Sequence, residues 1–311
     1  MVLLRKTPAP SRPKDYRPIS LIHSVSKLFA KCLARRLAPR LHEMIQQNQS
    51  AFIRGRSIHD NFRSVQLACR WLHSKRHPSV LVKIDIAKAF DSVAWPFLLE
   101  VLSHIGFPRR WTNWVSILLS TASTKILMNG RPGRRIVHAR GIRQGDPLSP
   151  MLFVIVMEVL NSLLREADRC AALTPLPGTV FTHRSSLYAD DLVVLVAPVA
   201  DDFRCLSETL NLFAGASGLL TNYEKCVVTP IRCSDHDMAA VLEVFQCTVQ
   251  PFPCMYLGIP LSLRKISRAM EQPLIDAVAA CIPTWKAGLL TSAGRVLLTW
   301  IPSQLSRCTS A

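Results

Sequence analysis

The chain has 311 residues, 49% of them hydrophobic and 19% charged, enough to bury a substantial core in one large domain or two to three small ones, which excludes a peptide or a disordered tail. Its 38 Lys and Arg against 21 Asp and Glu leave a formal net charge of +17, which suits a polyanionic partner, nucleic acid foremost. The ten cysteines form no CxxC pair, and Cys226 and Cys233 lack the spacing and partner histidines of a zinc site, so they read as reduced core residues of a nuclear or cytosolic protein. The N-terminal residues show no apolar core of a secretory signal, so secretion is not expected. The longest apolar runs, Met151 to Leu164 and Leu192 to Ala200, are too short to span a bilayer, so no membrane partner is expected.

Residues 1–16 are rich in proline and basic side chains and open on VLL as if mid-domain. From Ile19 to Ile45 a helical period puts Leu28, Cys32, Leu37, Leu41 and the stems of Lys31 and Arg35 on one face, with basic side chains opposite, which predicts an amphipathic helix. QSAFIRGRSIHDN, Gln49 to Asn61, reads as a loop pivoting at Gly55. Its Arg54 and Arg56 are either nucleic-acid backbone contacts or plain solvated arginines, and helical periodicity resumes over Phe62 to Ser74. Ser79 to Ile86 is a β-branched run with Asp85 near its end, and the helical period that follows stops at Gly106. Pro108 to Leu119 predicts a further helix. Thr124 to Asp146 predicts a basic hairpin region turning at Asn129-Gly130 and Pro132-Gly133. Asp146-Pro147 then reads as an N-cap and first-turn proline, opening a helix to about Asp168 that is apolar nearly all round and therefore buried.

SSLYADDLVVLV, Ser185 to Val196, sets two adjacent carboxylates in an apolar, β-prone run. Neighbouring strand residues point to opposite faces, so Asp190 and Asp191 serve one site only at or beside a tight turn. Paired carboxylates repel, and a divalent cation is the natural compensation. A surface turn explains the same two residues equally well on this stretch alone. Asp201 to Leu219 predicts a helix ending at Gly218, Asn222 to Pro230 a strand, Met255 to Ser262 a strand or hairpin, and Ile266 onward helix with breaks at Pro273 and Pro283. There are no internal repeats, and no regular βαβ rhythm appears, which predicts an α+β fold rather than a doubly wound one. Asp85, Asp190 and Asp191 all fall at strand ends or turns, where together they could hold two Mg²⁺ ions that also take waters and substrate phosphates.

KIDIAKAFDSVAW, GIRQGDPLSP, LYADD, GLLTNYEKC and MYLGIPLS, in this order and at these intervals, resemble the successive palm motifs of reverse transcriptases. The likeness is nearest to non-LTR (LINE-type) retrotransposons, plant elements in particular, to which DYRPISL and QSAFIRGRSIHDN are also similar. It covers nearly all of the chain. The resemblance implies an RNA-directed DNA polymerase that extends a DNA primer on an RNA template in retrotransposition. It implies right-hand fingers over 1–78 and a palm over 79–265, an antiparallel sheet packed on helices with a fingers-side hairpin at 120–145. Residues 266–311 would begin the connection to a thumb that is largely missing. An inactive, truncated relic that binds nucleic acid, or a group II intron-type reverse transcriptase, remains an alternative.

Carried over by position, the resemblance makes Asp85 and Asp190 the principal metal ligands and Asp191 the supporting carboxylate, for two ions of Mg²⁺ or Mn²⁺. Phe90 would stand against the sugar 2′ position and select deoxynucleoside triphosphates, which also disfavours an RNA replicase. Arg143, Gln144 and Gly145 would meet the nucleotide or template, and Lys225 would protonate departing pyrophosphate. Lys6 and Arg17 fall where related enzymes present a lysine and an arginine to the triphosphate. Partners are thus an RNA template, a DNA primer or target DNA, and deoxynucleotides. The basic residues at Arg35-Arg36, Arg109-Arg110, Arg131 to Arg140 and Arg264 to Arg268 would in part track the nucleic-acid backbone.

Overall fold

Two antiparallel strands, β1 (Val2–Arg5) and β2 (Tyr16–Ile19), open the chain in a computed structural model that describes residues 2–5, 9, 11–12, 15–20, 22–128, 130–177, 183–265, 272 and 276. The predicted basic helix follows as α1 (Ser24–Leu37), a 3₁₀ turn (Ala38–Arg40) and α2 (Leu41–Met44). It is interrupted at Pro39, which supplies no amide to the helical ladder. Its buried stripe is Ala30, Leu33, Ala34 and Leu37, whereas Leu28 is 65% exposed and Cys32 is exposed. Leu37 and Leu41 are buried as expected, but the upper part of the face is rotated: Ala30 and Ala34, weak as a hydrophobic signal, take the inward positions expected of Leu28 and Cys32. Helix α3 (Ile58–Ser74) starts earlier than Phe62, because the Ser57 hydroxyl caps it by accepting from the His59 amide at 3.2 Å.

Next come β3 (Ser79–Ile84), α4 (Ala89–Ser92), α5 (Trp95–His104), α6 (Arg109–Ser120) and the hairpin β4 (Ser123–Met128) and β5 (Arg131–Val137). Pro132-Gly133 lies within β5, which pairs Arg131 with Met128 and Pro132 with Leu127, so the second expected turn is strand instead. Helix α7 (Ser149–Arg169) has an unbroken buried run from Leu152 to Met157, as expected of a helix apolar nearly all round. It begins at Ser149 with Pro150 in its first turn, not at Pro147. Asp146 stays outside as a turn residue whose Oδ1 accepts from the Leu148 amide at 2.8 Å.

The acidic hairpin is β6 (Ser185–Tyr188) and β7 (Asp191–Val196). Helix α8 (Ala200–Ser217) then ends at Gly218, as predicted, and β8 (Val227–Ile231) begins only after a 3₁₀ turn at Tyr223–Lys225. Helix α9 (Asp235–Val244), absent from the sequence expectations, is opened by a capping box between Ser234 and Asp237, and the short β9 (Thr248–Val249) follows. Among the described residues no helix is long and apolar enough to cross a membrane.

These elements build the mixed α+β architecture expected. Strands run in the order β6-β7-β3-β8-β9, antiparallel except for the β8–β9 edge. Register pairs Val82 with Val194 on one side and Val228 on the other. Alternation then puts Val80, Val82, Ile84, Leu192, Val194 and Val196 on the face that shares a core with α5, α7 and α8, each full burial being worth about 1.5–3 kcal/mol. On the opposite face Leu81, Val193 and Leu195 join Val65 and Ala68 of α3 in lining a cavity of about 880 Å³.

The chain divides into two compact units, Met1–Pro251 and Phe252–Ala311. In the second, β10 (Cys254–Tyr256) and β11 (Ile259–Leu261) form the hairpin predicted over Met255 to Ser262, with Tyr256 and Leu261 buried. The helix predicted from Ile266 lies outside the described residues, except for Gln272 and Asp276.

The junction between α4 and α5 is held by a close backbone approach. The Gly141 amide donates to the Val93 carbonyl at 2.7 Å, and the Trp95 indole donates to the Gly141 carbonyl at 2.7 Å. Gly141 sits at φ +82, and a Cβ there would lie 2.5 Å from the Asp91 carbonyl oxygen. Both the conformation and the space demand glycine. Gly141→Ala should cost about 2–4 kcal/mol of unfolding free energy in urea denaturation; a variant as stable as its parent would show that the junction yields freely.

Candidate active site

The pairing of β3 with β7 ends at Ile84 opposite Leu192, and one further step of the same register sets Asp85 across from Asp191. Their equal parity along the strands points both to the face away from the α7 core. Tyr188 pairs with Asp191 across β6 and β7, leaving Ala189 and Asp190 as a two-residue turn, the arrangement that lets adjacent aspartates serve one rim. Asp190 is exposed at the tip, while Asp191 is half-buried at the root. The structure thus sets Asp191 beside Asp85, with Asp190 on the turn next to them.

Burial pushes the Asp191 carboxyl above its usual range, the Lys83 ammonium pulls it back, and the Asp85 carboxylate pushes it up again. Lys83 was not singled out in the sequence; it precedes Asp85 by two positions on the same strand face, and that spacing was the available signal. Lys225, on the 3₁₀ turn before β8, brings its Nζ to 3.8 Å from Asp85 Oδ2, both groups open to solvent. The turn is anchored where the Asn222 amide donates to the Asp85 carbonyl at 2.8 Å. Carboxylate oxygens are hard donors of the kind that Mg²⁺ and Mn²⁺ accept, and the mutual repulsion of Asp85 and Asp191 is what a cation would relieve, so the donor set fits such an ion. Among the described residues no three His, Cys, Asp or Glu side chains come together as a group that could hold a metal ion, so Asp85, Asp190 and Asp191 do not converge on one point; an ion that takes most of its ligands from waters and substrate phosphates needs fewer protein donors.

Phe90, on α4, stacks on Phe153 of α7 with centroids 4.5 Å apart and planes 17° from parallel. Its carbonyl accepts from the Ile142 amide at 2.7 Å, which ties α4 to the irregular segment entering Arg143–Gly145. Arg143 has an internal partner, since its Nη2 donates to the Leu118 carbonyl at the end of α6 at 2.7 Å. The Gln144 carbonyl accepts from the Ser20 amide at 3.3 Å, and Gly145, exposed at φ +96, passes close to the Ser20 carbonyl. Arg17 lies in β2, but nothing of its side chain is described, and Lys6 lies outside the described residues. Arg35, Arg36, Arg109, Arg110, Arg131, Arg134, Arg135, Arg140 and Arg264 are exposed; Arg268 lies outside the described residues.

Behind the hairpin lies a polar assembly that sequence reasoning did not foresee. Arg56 donates to the carbonyls of Gln46 (2.5 Å), Gln49 (2.7 Å), Ile45 (2.8 Å) and His42 (3.3 Å), so it braces its own loop and is neither a solvated arginine nor a free cation for nucleic acid. Asn48 and Asn161 exchange side-chain hydrogen bonds at 2.8 and 3.0 Å, and the Asn61 amide reaches the Asn48 carbonyl, the Ser186 hydroxyl and the Leu187 carbonyl. Glu158 of α7 accepts from the Gln46 amide at 3.3 Å and from Asn161. None of the eight cysteines among the described residues is in a disulfide.

A family model described as "Reverse transcriptase (RNA-dependent DNA polymerase)" matches residues 4–261. The chain belongs to the reverse transcriptase family. Its curated relatives include proteins of non-LTR retroelements: over 245 residues it is 31% identical to the retrovirus-related Pol polyprotein from the type-2 retrotransposable element R2DM of Drosophila melanogaster, covering 78% of this chain and 22% of that one. It is 25% identical over 223 residues to the RNA-directed DNA polymerase of the mobile element jockey from the same fly, covering 70% and 22%. The chain thus spans about a fifth of the length of these relatives. Among solved structures, the telomerase of Candida tropicalis in complex with a fragment of telomeric RNA aligns with a TM-score of 0.53 at 12% identity, covering 84% of this chain and 42% of that one, a likeness of fold alone.

Burial raises the Glu158 carboxyl above its usual range, against the opposing pull of its bonds to Asn161 and Gln46 and of Arg165 and Arg56. A raised native value means that the folded chain holds this proton more tightly than the unfolded chain, so stability from the site is present at low pH and lost as pH rises through the raised value. Glu158→Gln should therefore gain stability relative to the parent as pH rises above the ordinary glutamate range in paired denaturation curves. A difference that does not change with pH would contradict this assignment.

Proposed function

We propose that this chain is the polymerising part of a non-LTR retroelement reverse transcriptase, an RNA-directed DNA polymerase that extends a DNA primer on an RNA template. The observation that carries this reading is the meeting of Asp85 with the Asp190–Asp191 turn at one rim of the sheet, with Lys225 beside them. The segment before β3 is the fingers, the five-stranded sheet and its helices are the palm, and the β4–β5 ribbon is a hairpin on the fingers side. Asp85, Asp190 and Asp191 would hold two divalent cations, Mg²⁺ or Mn²⁺, which when bound offset the charge on the attacking hydroxyl and the departing pyrophosphate.

The remaining roles fall to the chain itself. Lys225 lies within reach of the same rim as a proton donor to the leaving group. Phe90, braced from behind by Phe153, is the ring that excludes a 2′-hydroxyl. Gln144 and Gly145, on a turn, present backbone and side chain to nucleotide or template, and Arg143, bonded to the Leu118 carbonyl, fixes the approach to that turn. The exposed arginines of α1, α6 and β5 meet phosphate, so binding weakens as salt rises.

The test is incorporation of deoxynucleotides on an RNA template with an annealed DNA primer, in Mg²⁺ or Mn²⁺. Asp85→Asn and Asp190→Asn should each lower the rate by at least about 100-fold, while duplex binding persists. Tight binding without incorporation by the parent chain would mean a nucleic-acid-binding relic instead. In the same assay Phe90→Val should relax the preference for deoxy- over ribonucleotides by about tenfold or more, the scale of a lost steric contact, and unchanged discrimination would remove Phe90 from the sugar site.

A further inference from the structure

The turn that carries the two adjacent aspartates is held from outside its own hairpin. Ala189, its first residue, sits at φ +54, a left-handed conformation unfavourable for a residue with a Cβ. Its amide donates to the Gln49 side-chain oxygen at 3.1 Å, and that oxygen also accepts from the Ala51 amide at 3.0 Å. Gln49 is fully buried, and its side-chain nitrogen has no hydrogen-bond partner, so the acceptor oxygen is what the position uses. The loop beneath is immobilised. Leu187 donates to the Asn48 carbonyl at 2.8 Å and accepts from the Ser50 amide at 3.2 Å, Arg56 grips the Gln49 carbonyl, and Asn161 of α7 holds Asn48.

We propose that Gln49 is a positioning residue for the catalytic carboxylates: its side-chain oxygen pins the Ala189 amide and thereby sets the backbone from which Asp190 and Asp191 project. This rests on the reading of those carboxylates as the metal-bearing group. A hydrogen bond of this kind works as an outer partner of the ligands, orienting without touching substrate. Because glycine takes positive φ at no steric cost, Ala189→Gly supplies the same turn geometry from within and should substitute for the missing contact.

Mn²⁺ binding to the whole chain, followed by electron paramagnetic resonance of the free ion, tests this, with nucleotide incorporation run alongside. Gln49→Met, similar in length but without an acceptor, should raise the Mn²⁺ dissociation constant by about 10- to 100-fold and raise the metal concentration for half-maximal incorporation, leaving the KM for primer-template unchanged. Adding Ala189→Gly should recover most of that loss, which a general folding defect would not allow. In the parent chain, the Ala189 amide should be protected from hydrogen exchange, a measurement that stands even if Gln49→Met does not fold. Mn²⁺ affinity indifferent to Gln49→Met, a loss that Ala189→Gly leaves untouched, or rapid exchange at Ala189 would each overturn the proposal. A parent chain that binds no more Mn²⁺ than Asp190→Asn overturns the metal reading, and this one with it.

Discussion

Two carboxylates brought together at the rim of a sheet impose a demand that the surrounding structure has to meet. Like charges about 4 Å apart repel by about 1 kcal/mol in water and about 4 kcal/mol near a protein surface, so Asp85 and Asp191 would drift apart on a flexible support. Here they cannot. Asp85 ends a central strand paired on both sides, and Asp191 begins the strand next to it. Lys83 and Lys225 contribute opposing charge, and the half-exposed rim leaves part of the repulsion to solvent. The remainder is carried by the apolar face beneath, where Val82, Val194 and α7 hold the strands in register whatever the charges above them prefer. Core and site are therefore one construction, with stability on one face of the sheet and unrelieved charge at its edge.

The side of the hairpin away from that core is secured differently. Between the loop at 46–56, α3, α7 and β6, side-chain amides and a guanidinium do what aliphatic packing does elsewhere. Hydrogen bonds need direction as well as contact, so such an assembly admits few alternative arrangements. It is not fully satisfied: the Gln49 nitrogen and the Asn61 side-chain oxygen are buried without partners. Each such group costs about 1–3 kcal/mol. A sequence selected for stability alone would place leucine and valine here. Polar groups that accept this cost trade stability for a defined position of the strand end that bears the aspartates.

What was legible in the sequence, and what was not, follows from where each signal lives. The acidic hairpin, the buried α7, the Gly218 stop and the β10–β11 hairpin are local: alternation, apolar run, turn residues and glycine say the same thing within a few residues. The buried face of α1 is not local, because Ala30 and Ala34 become core only when another element approaches closely enough to need small side chains. Helix α9 has a weak apolar stripe, and its one clear signal, the Ser234–Asp237 box, is brief. Arg56 illustrates the limit most plainly. An arginine in a loop looks the same in sequence whether it faces solvent, phosphate or four carbonyls of its own backbone, and only the tertiary path of residues 42–49 decides among them.

The same distinction changes how the site residues implied by resemblance are understood. Phe90 and Arg143 both turn out to have internal partners, Phe153 and the Leu118 carbonyl. Those contacts do not compete with the proposed substrate role. Under that proposal the ring has to be rigid, since a ring free to rotate away discriminates poorly, and stacking on a fully buried phenylalanine of α7 restrains a half-buried ring. Likewise an arginine anchored at the end of α6 fixes the path of the backbone through Gln144 and Gly145. Packing and recognition are successive demands on the same side chains. Substitutions at Phe153 and Leu118, remote from any ligand, therefore bear on the site through the residues they support.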